Sequence, residues 1–232
     1  MLFGIFGRAK PPPLTAFCKR LTDANEFPKV AKNRAVDRSV KVNKRALLLS
    51  YLVMGAAGNL VAQLDRGLDG DSSLRFLEGT NLDVVTAEAI IWNHALLMWL
   101  WKTERKKNPK MLEGVDDSIF IEALKMILET IAAETGFDFK EAAIEREKLY
   151  YEAINERNVP ESFAIVLAQS LGRQSLAEPL KRVDPLSVSP AKWVPVNLQL
   201  NAFFTAMPKA YYESFKNCLN EWPTIERSFC VP

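Results

Sequence analysis

The sequence predicts an all-α protein, a helical bundle of roughly six to eight helices around two central apolar helices. Three observations predict it. Two segments, 46–64 and the middle of a helix over about 82–107, are apolar almost all round, as buried helices are. Shorter downstream segments repeat their apolar residues at helical spacing. No run alternates long enough to read as a strand, and Asp-Gly is not flanked by strand-like sequence. No internal repeat of fixed period appears. With 232 residues, 48% of them hydrophobic and 25% charged, the chain can bury a substantial core.

The opening MLFGIFGRAK has too short an apolar run, with no preceding positive region, to read as a secretory signal. Its Leu2, Phe3, Ile5 and Phe6 form an apolar tip before the stiff Pro11–Pro13 spacer. Leu14 to Asn25 reads as a short helix with Leu14, Phe17, Cys18 and Leu21 on one face. Pro28 ends it, and residues 29–45 carry seven basic residues against one acid. Residues 1–45 hold eleven Lys and Arg against three acids, whereas the rest of the chain is net acidic. This asymmetry predicts a basic N-terminal arm suited to an anionic surface or to the chain's own acidic body.

ALLLSYLVMGAAGNLVAQL, residues 46–64, contains no charge. Nineteen helical residues reach about 28 Å, close to the hydrocarbon thickness of a bilayer. The basic flank and the small residues Ala46, Ser50, Gly58 and Ala62 also suit a span. Asn59 and Gln63 argue against one, since lipid offers their amides no partner. The equally apolar stretch 89–101 is too short to span. The expectation is a soluble pair, 44–64 and 84–105, with Gly55 and Gly58 admitting a neighbouring helix closely.

The second helix ends in KTERKK, where cations complement the helix dipole, before Asn108 and Pro109 stop it. Residues 118–134 are amphipathic, and Gly136 marks their end. Asp138 with Glu141 resembles a capping box opening a charged helix to about Arg157. In it Ala142, Leu149, Tyr150 and Ala153 point inward, while Arg146 and Lys148 read as part of an exposed face. Pro160 and Gly172 frame a helix over ESFAIVLAQSL. Prolines at 179, 185, 190 and 195 exclude continuous helix there, and two last helices follow near 197–206 and 209–221. The domain reading is a basic arm with a short helix over 1–45 and a bundle core over 46–172. A Pro-rich connection and C-terminal helices packed on the core make up 173–232.

The chemistry-bearing residues are few. His94 is the single histidine and sits in WNHALLMW, which predicts a satisfied core histidine rather than a nucleophile's base. Phosphate-cradling glycine motifs are missing. Asp65, Asp69 and Asp71 fail the EF-hand spacing, and no metal or cofactor is expected. Asp116 and Asp117 suit a helix N-terminus. Glu141 with Glu145, and Glu152 with Glu156, read as solvated pairs. Trp92, Trp99 and Trp101 read as core. Cys18, Cys218 and Cys230 form no C-x-x-C pair, and a reducing, cytoplasmic compartment fits them.

Function is open to three classes. The first is a non-enzymatic helical interaction or regulatory protein that binds a protein partner, through a face carrying Tyr211, Tyr212, Phe215 and Trp222. The same protein would sit peripherally at an anionic membrane surface through Lys29, Lys32, Arg34, Arg38, Lys41, Lys44 and Arg45. The second is a nucleic-acid-associated protein using that basic arm, whose binding would fall steeply with salt. The arm holds no aromatic residue for base stacking, which weakens this class. The third is an enzyme or ligand carrier with an apolar pocket near His94, Trp92 and Glu88. A homo-oligomer is compatible with these readings.

Overall fold

The computed structural model describes residues 13–21, 44–66, 80–107, 117–156 and 173–177, with 162, 165, 166 and 169 singly. These residues are overwhelmingly helical, and no strand occurs among them. Five helices are defined: α1 (Leu14–Arg20), α2 (Lys44–Arg66), α3 (Leu82–Lys107), α4 (Ser118–Thr135) and α5 (Lys140–Glu156). The helices expected at 197–206 and 209–221 lie outside the described residues, as do most of the basic arm and the aromatic face at 211–222.

α2 and α3 pack against each other at the centre; α1 and α4 lie against α2, and α5 lies against α3. The uncharged stretch of α2 supplies Ala46, Leu49, Val53, Met54, Ala57 and Val61 to the core, all essentially inaccessible. Asn59 reaches the surface instead. Among the described residues one helix, Leu82–Lys107, is long and apolar enough to cross a membrane, with mean hydropathy 1.2 over its best window. That window is 83% buried inside the fold, as in a core helix. The apolar part of α2, Ala46–Ala62, is shorter. The stretch expected to be too short is thus the one that meets the length criterion. Counting outward from Trp92 stops at Glu88, whereas the helix continues through Ala87, Val85 and Val84.

α1 reaches the core through Leu14, Phe17 and Cys18. Gly58 makes this possible: a Cβ there would lie 2.5 Å from the Cys18 carbonyl carbon and 2.6 Å from the Lys19 nitrogen. The close neighbour of α2's glycines is therefore α1. Burial pushes the Cys18 thiol well above its ordinary range, and the Asp83 carboxylate adds to the shift. A thiol held protonated in this way is a poor nucleophile.

Helix ends follow local chemistry. Asn81 opens α3, its Oδ1 accepting the Asp83 N–H at 3.0 Å. α4 stops at Gly136, whose φ of 72° is left-handed and whose N–H returns to the Ala132 carbonyl at 3.0 Å. Asp138 Oδ1 accepts the Lys140 N–H at 3.1 Å, two residues on, a local turn before α5 in place of the i, i+3 bond of the expected capping box. Asp117 stands at the start of α4 but makes no side-chain cap. Its Oδ1 accepts from Trp101 Nε1 at 3.0 Å and from Arg105 Nη1 at 3.2 Å, tying α4 to the end of α3.

Candidate functional site

Glu88 is the one acid within the apolar stretch of α3, and it is 2% exposed. A lone carboxylate buried that deeply requires partners. They come from α5. Glu88 and Trp92 lie one turn apart on α3, and Arg146 and Tyr150 lie one turn apart on α5. The two pairs interleave. Arg146 Nη1 donates to Glu88 Oε1 and the Tyr150 hydroxyl donates to Oε2. The Tyr150 ring meets Trp92 edge-on with centroids 5.9 Å apart. Arg173 Nη1 approaches Glu88 Oε1 at 3.5 Å.

Arg146 is 1% exposed, which corrects its assignment to a solvated face. Ala143, Arg146, Tyr150 and Ala153 form the buried stripe of α5, at spacings of three and four. The flanking Glu141, Glu145, Lys148, Glu152 and Glu156 do face solvent. Burial is the larger influence on Glu88 and pushes its carboxyl above the ordinary carboxylate range, while Arg146, Tyr150 and Arg173 pull it back down. Burial also raises the Tyr150 phenol, with Glu88 adding to the shift, so the hydroxyl stays a donor.

The cluster has a second task. Arg146 Nη2 donates to the Leu176 carbonyl at 2.7 Å, and Asn81 Nδ2 donates to the Gln174 carbonyl at 3.3 Å. Residues 173–177 are thereby held across the start of α3 and beside the start of α5. Between these elements lies a cleft of about 660 Å³. Val84, Phe137, Phe139, Ala142, Leu176 and Ala177 supply its apolar lining. Asp138, Lys140, Glu141, Glu145, Gln174 and Ser175 supply its polar lining. This volume falls in the range of small-ligand and side-chain-binding sites.

His94 is separate from the cluster and from the cleft. It is fully buried, with Nε2 2.8 Å from the Phe120 carbonyl and its ring edge-on to Phe120 at 6.0 Å. Nδ1 lies 2.9 Å from Glu147 Oε1, though off the line of a good hydrogen bond. The histidine therefore joins α3 to both α4 and α5. Trp92 and Trp101 are fully buried and Trp99 partly so. Of the three sequence-nominated pocket residues, Trp92 and Glu88 meet at Tyr150, whereas His94 stands apart, and none lines the cleft.

Lys44 and Arg45 open α2, while Lys29, Lys32, Arg34, Arg38 and Lys41 lie outside the described residues, as do Tyr211, Tyr212, Phe215 and Trp222. Among the described residues no three His, Cys, Asp or Glu side chains gather into a metal-holding group. No family model matches the chain, and comparison with curated proteins and with solved structures finds no match.

Proposed function

We propose that this chain is a non-enzymatic interaction protein, a bundle of six to eight helices that binds a protein partner at the cleft between α3, α5 and residues 173–177. One observation carries the reading: a buried ionic cluster is used to hold a wall of an open cleft. Burying a carboxylate and two guanidiniums is an expensive way to stabilise a fold. It is a good way to fix the position of a backbone segment, and Arg146 does so at the Leu176 carbonyl. Glu88 and His94, the residues best suited to acid–base work, are engaged with internal partners away from the cleft lining.

The test is photo-crosslinking with the full-length chain in cells. A benzophenone side chain replaces Lys140, which is exposed and lines the cleft, or Lys125, which is exposed on α4. A discrete adduct from position 140 that is missing from position 125 is the expected result. Equal labelling from both positions, or none from 140, overturns the reading.

The charge excess of residues 1–45 supports a second contact, with an anionic membrane surface. Truncating the arm is a poor test, because it removes α1 and with it Leu14, Phe17 and Cys18 of the core. Replacing Lys29, Lys32, Arg34, Arg38 and Lys41 by Gln leaves α1 in place. The substituted chain should no longer pellet with phosphatidylserine vesicles, and unchanged pelleting removes the membrane contact.

A further inference from the structure

The next step rests on the cleft being the partner site and concerns what it takes. We propose that the bound segment is basic and apolar, a Lys or Arg side chain flanked by bulky aliphatic residues. Glu141 and Glu145 lie one turn apart on α5, both exposed and both on the cleft wall. Like charges at this spacing repel each other. Two exposed acids elsewhere are answered by bases: Lys148 stands 3.9 Å from Glu152, and Lys125 stands 3.8 Å from Glu129. Among the described residues no cation comes within ion-pair distance of Glu141 or Glu145.

The balance of the cleft points the same way. Its charged lining is Asp138, Glu141 and Glu145 against Lys140 alone. Asp138 is already engaged with the Lys140 N–H. With three acids against one base, the lining keeps a net charge of −2 to receive a cation. The facing surface is apolar: Val84, Phe139 and Leu176 form a nearly inaccessible floor, and half-buried Phe137 and Ala142 with exposed Ala177 leave apolar surface open above it. An aliphatic side chain beside the cation would cover these groups, and the stem of a Lys or Arg is itself apolar along its length. An acidic segment would meet two uncompensated carboxylates. A purely apolar one would leave those carboxylates to be partly desolvated without a partner.

The test uses the full-length protein at physiological salt with three Gly-flanked peptides, measured by calorimetry. Their cores are Leu-Lys-Arg-Leu, Leu-Gln-Gln-Leu and Leu-Glu-Glu-Leu. The basic peptide should bind tightest and the acidic one weakest. The exposed substitutions E141Q and E145Q together should weaken the basic peptide roughly tenfold, as two partly solvated ion pairs would. They should leave the neutral peptide and the far-ultraviolet circular dichroism unchanged. Equal binding of the three peptides, or an undiminished basic peptide in E141Q/E145Q, overturns the proposal. If no peptide binds but position 140 still crosslinks a partner, the inferred chemistry is wrong and the cleft reading stands. If both fail, the cleft reading falls with it.

Discussion

Asp83, in the first turn of α3, caps a different helix: its Oδ1 accepts the backbone N–H of Thr15 at 2.9 Å and the Thr15 hydroxyl at 2.7 Å. α1 needs this, because it has no acid in its first turn and Pro13 at its N-cap offers no side-chain bond. The Thr15 hydroxyl also lies 2.9 Å from that of Thr86. D83A should therefore loosen the docking of α1, at a cost of about 1–3 kcal/mol in urea unfolding. In a background with Cys218 and Cys230 replaced by Ser, Cys18 should also react faster with a thiol reagent. Unchanged Cys18 protection would show that α1 is held by its apolar face alone.

The two glycines of α2 should respond to alanine in opposite directions. At Gly58 a Cβ meets the backbone of Cys18 and Lys19 well inside contact distance, so G58A must push α1 away, destabilising by roughly 1–3 kcal/mol. At Gly55 the nearest atom is the Leu21 carbonyl oxygen at 3.6 Å, an ordinary contact. G55A should gain up to about 1 kcal/mol from helix propensity. Thermal melts of the two variants check the pair, and a shared sign would mean that α1 does not approach α2 as described.

Removing Arg146 takes from buried Glu88 its closest cation, leaving Arg173 at 3.5 Å, and releases the Leu176 carbonyl. R146M should cost about 3–5 kcal/mol, the usual consequence of breaking a buried ion pair. The double variant E88L/R146M removes more native groups, yet it should be more stable than R146M. Recovery should be incomplete, because the Tyr150 hydroxyl loses its acceptor and the buried Arg173 loses its carboxylate. Chemical denaturation of the variants decides this, and a double variant weaker than R146M would show that Tyr150 and Arg173 suffice to hold the buried carboxylate.

The raised Glu88 carboxyl makes stability depend on pH with a definite sign. Its folded-state value lies above the ordinary 4.5, so the folded protein holds this proton more tightly than the unfolded chain. The group's contribution is complete below the ordinary value and is lost as pH rises through the raised one. Unfolding free energy measured from pH 4.5 towards neutrality should fall more steeply in the natural protein than in E88Q. Parallel curves, or a steeper one for E88Q, would show that the arginines outweigh burial at this carboxyl.

The framework was readable from periodicity, and the polar interior was not. Residues 118–134 and the Gly136 stop matched the structure closely because one apolar face and one left-handed residue specify such a helix locally. The pair α2 and α3 was legible because little except a core tolerates such sequences away from lipid. Arg146 reads as surface by residue type but as core by position: it falls three residues after Ala143 and four before Tyr150, on the buried stripe. Glu88 carried the complementary hint, an acid inside an apolar helix that demands a cation. Which cation answers it is a tertiary fact, 58 residues away in sequence. The cleft was invisible for the same reason, since its walls come from three separate parts of the chain.

Two of the side chains that hold residues 173–177 grip carbonyl oxygens, Asn81 at Gln174 and Arg146 at Leu176. Every amino acid supplies that oxygen. Leu176 packs into the core and the Ser175 hydroxyl accepts the Ala177 N–H, but at exposed positions such as Ala177 the wall can keep its shape while its chemistry is rewritten. A surface mounted in this way is interchangeable: its selectivity can be re-specified by substitutions that never touch the frame behind it.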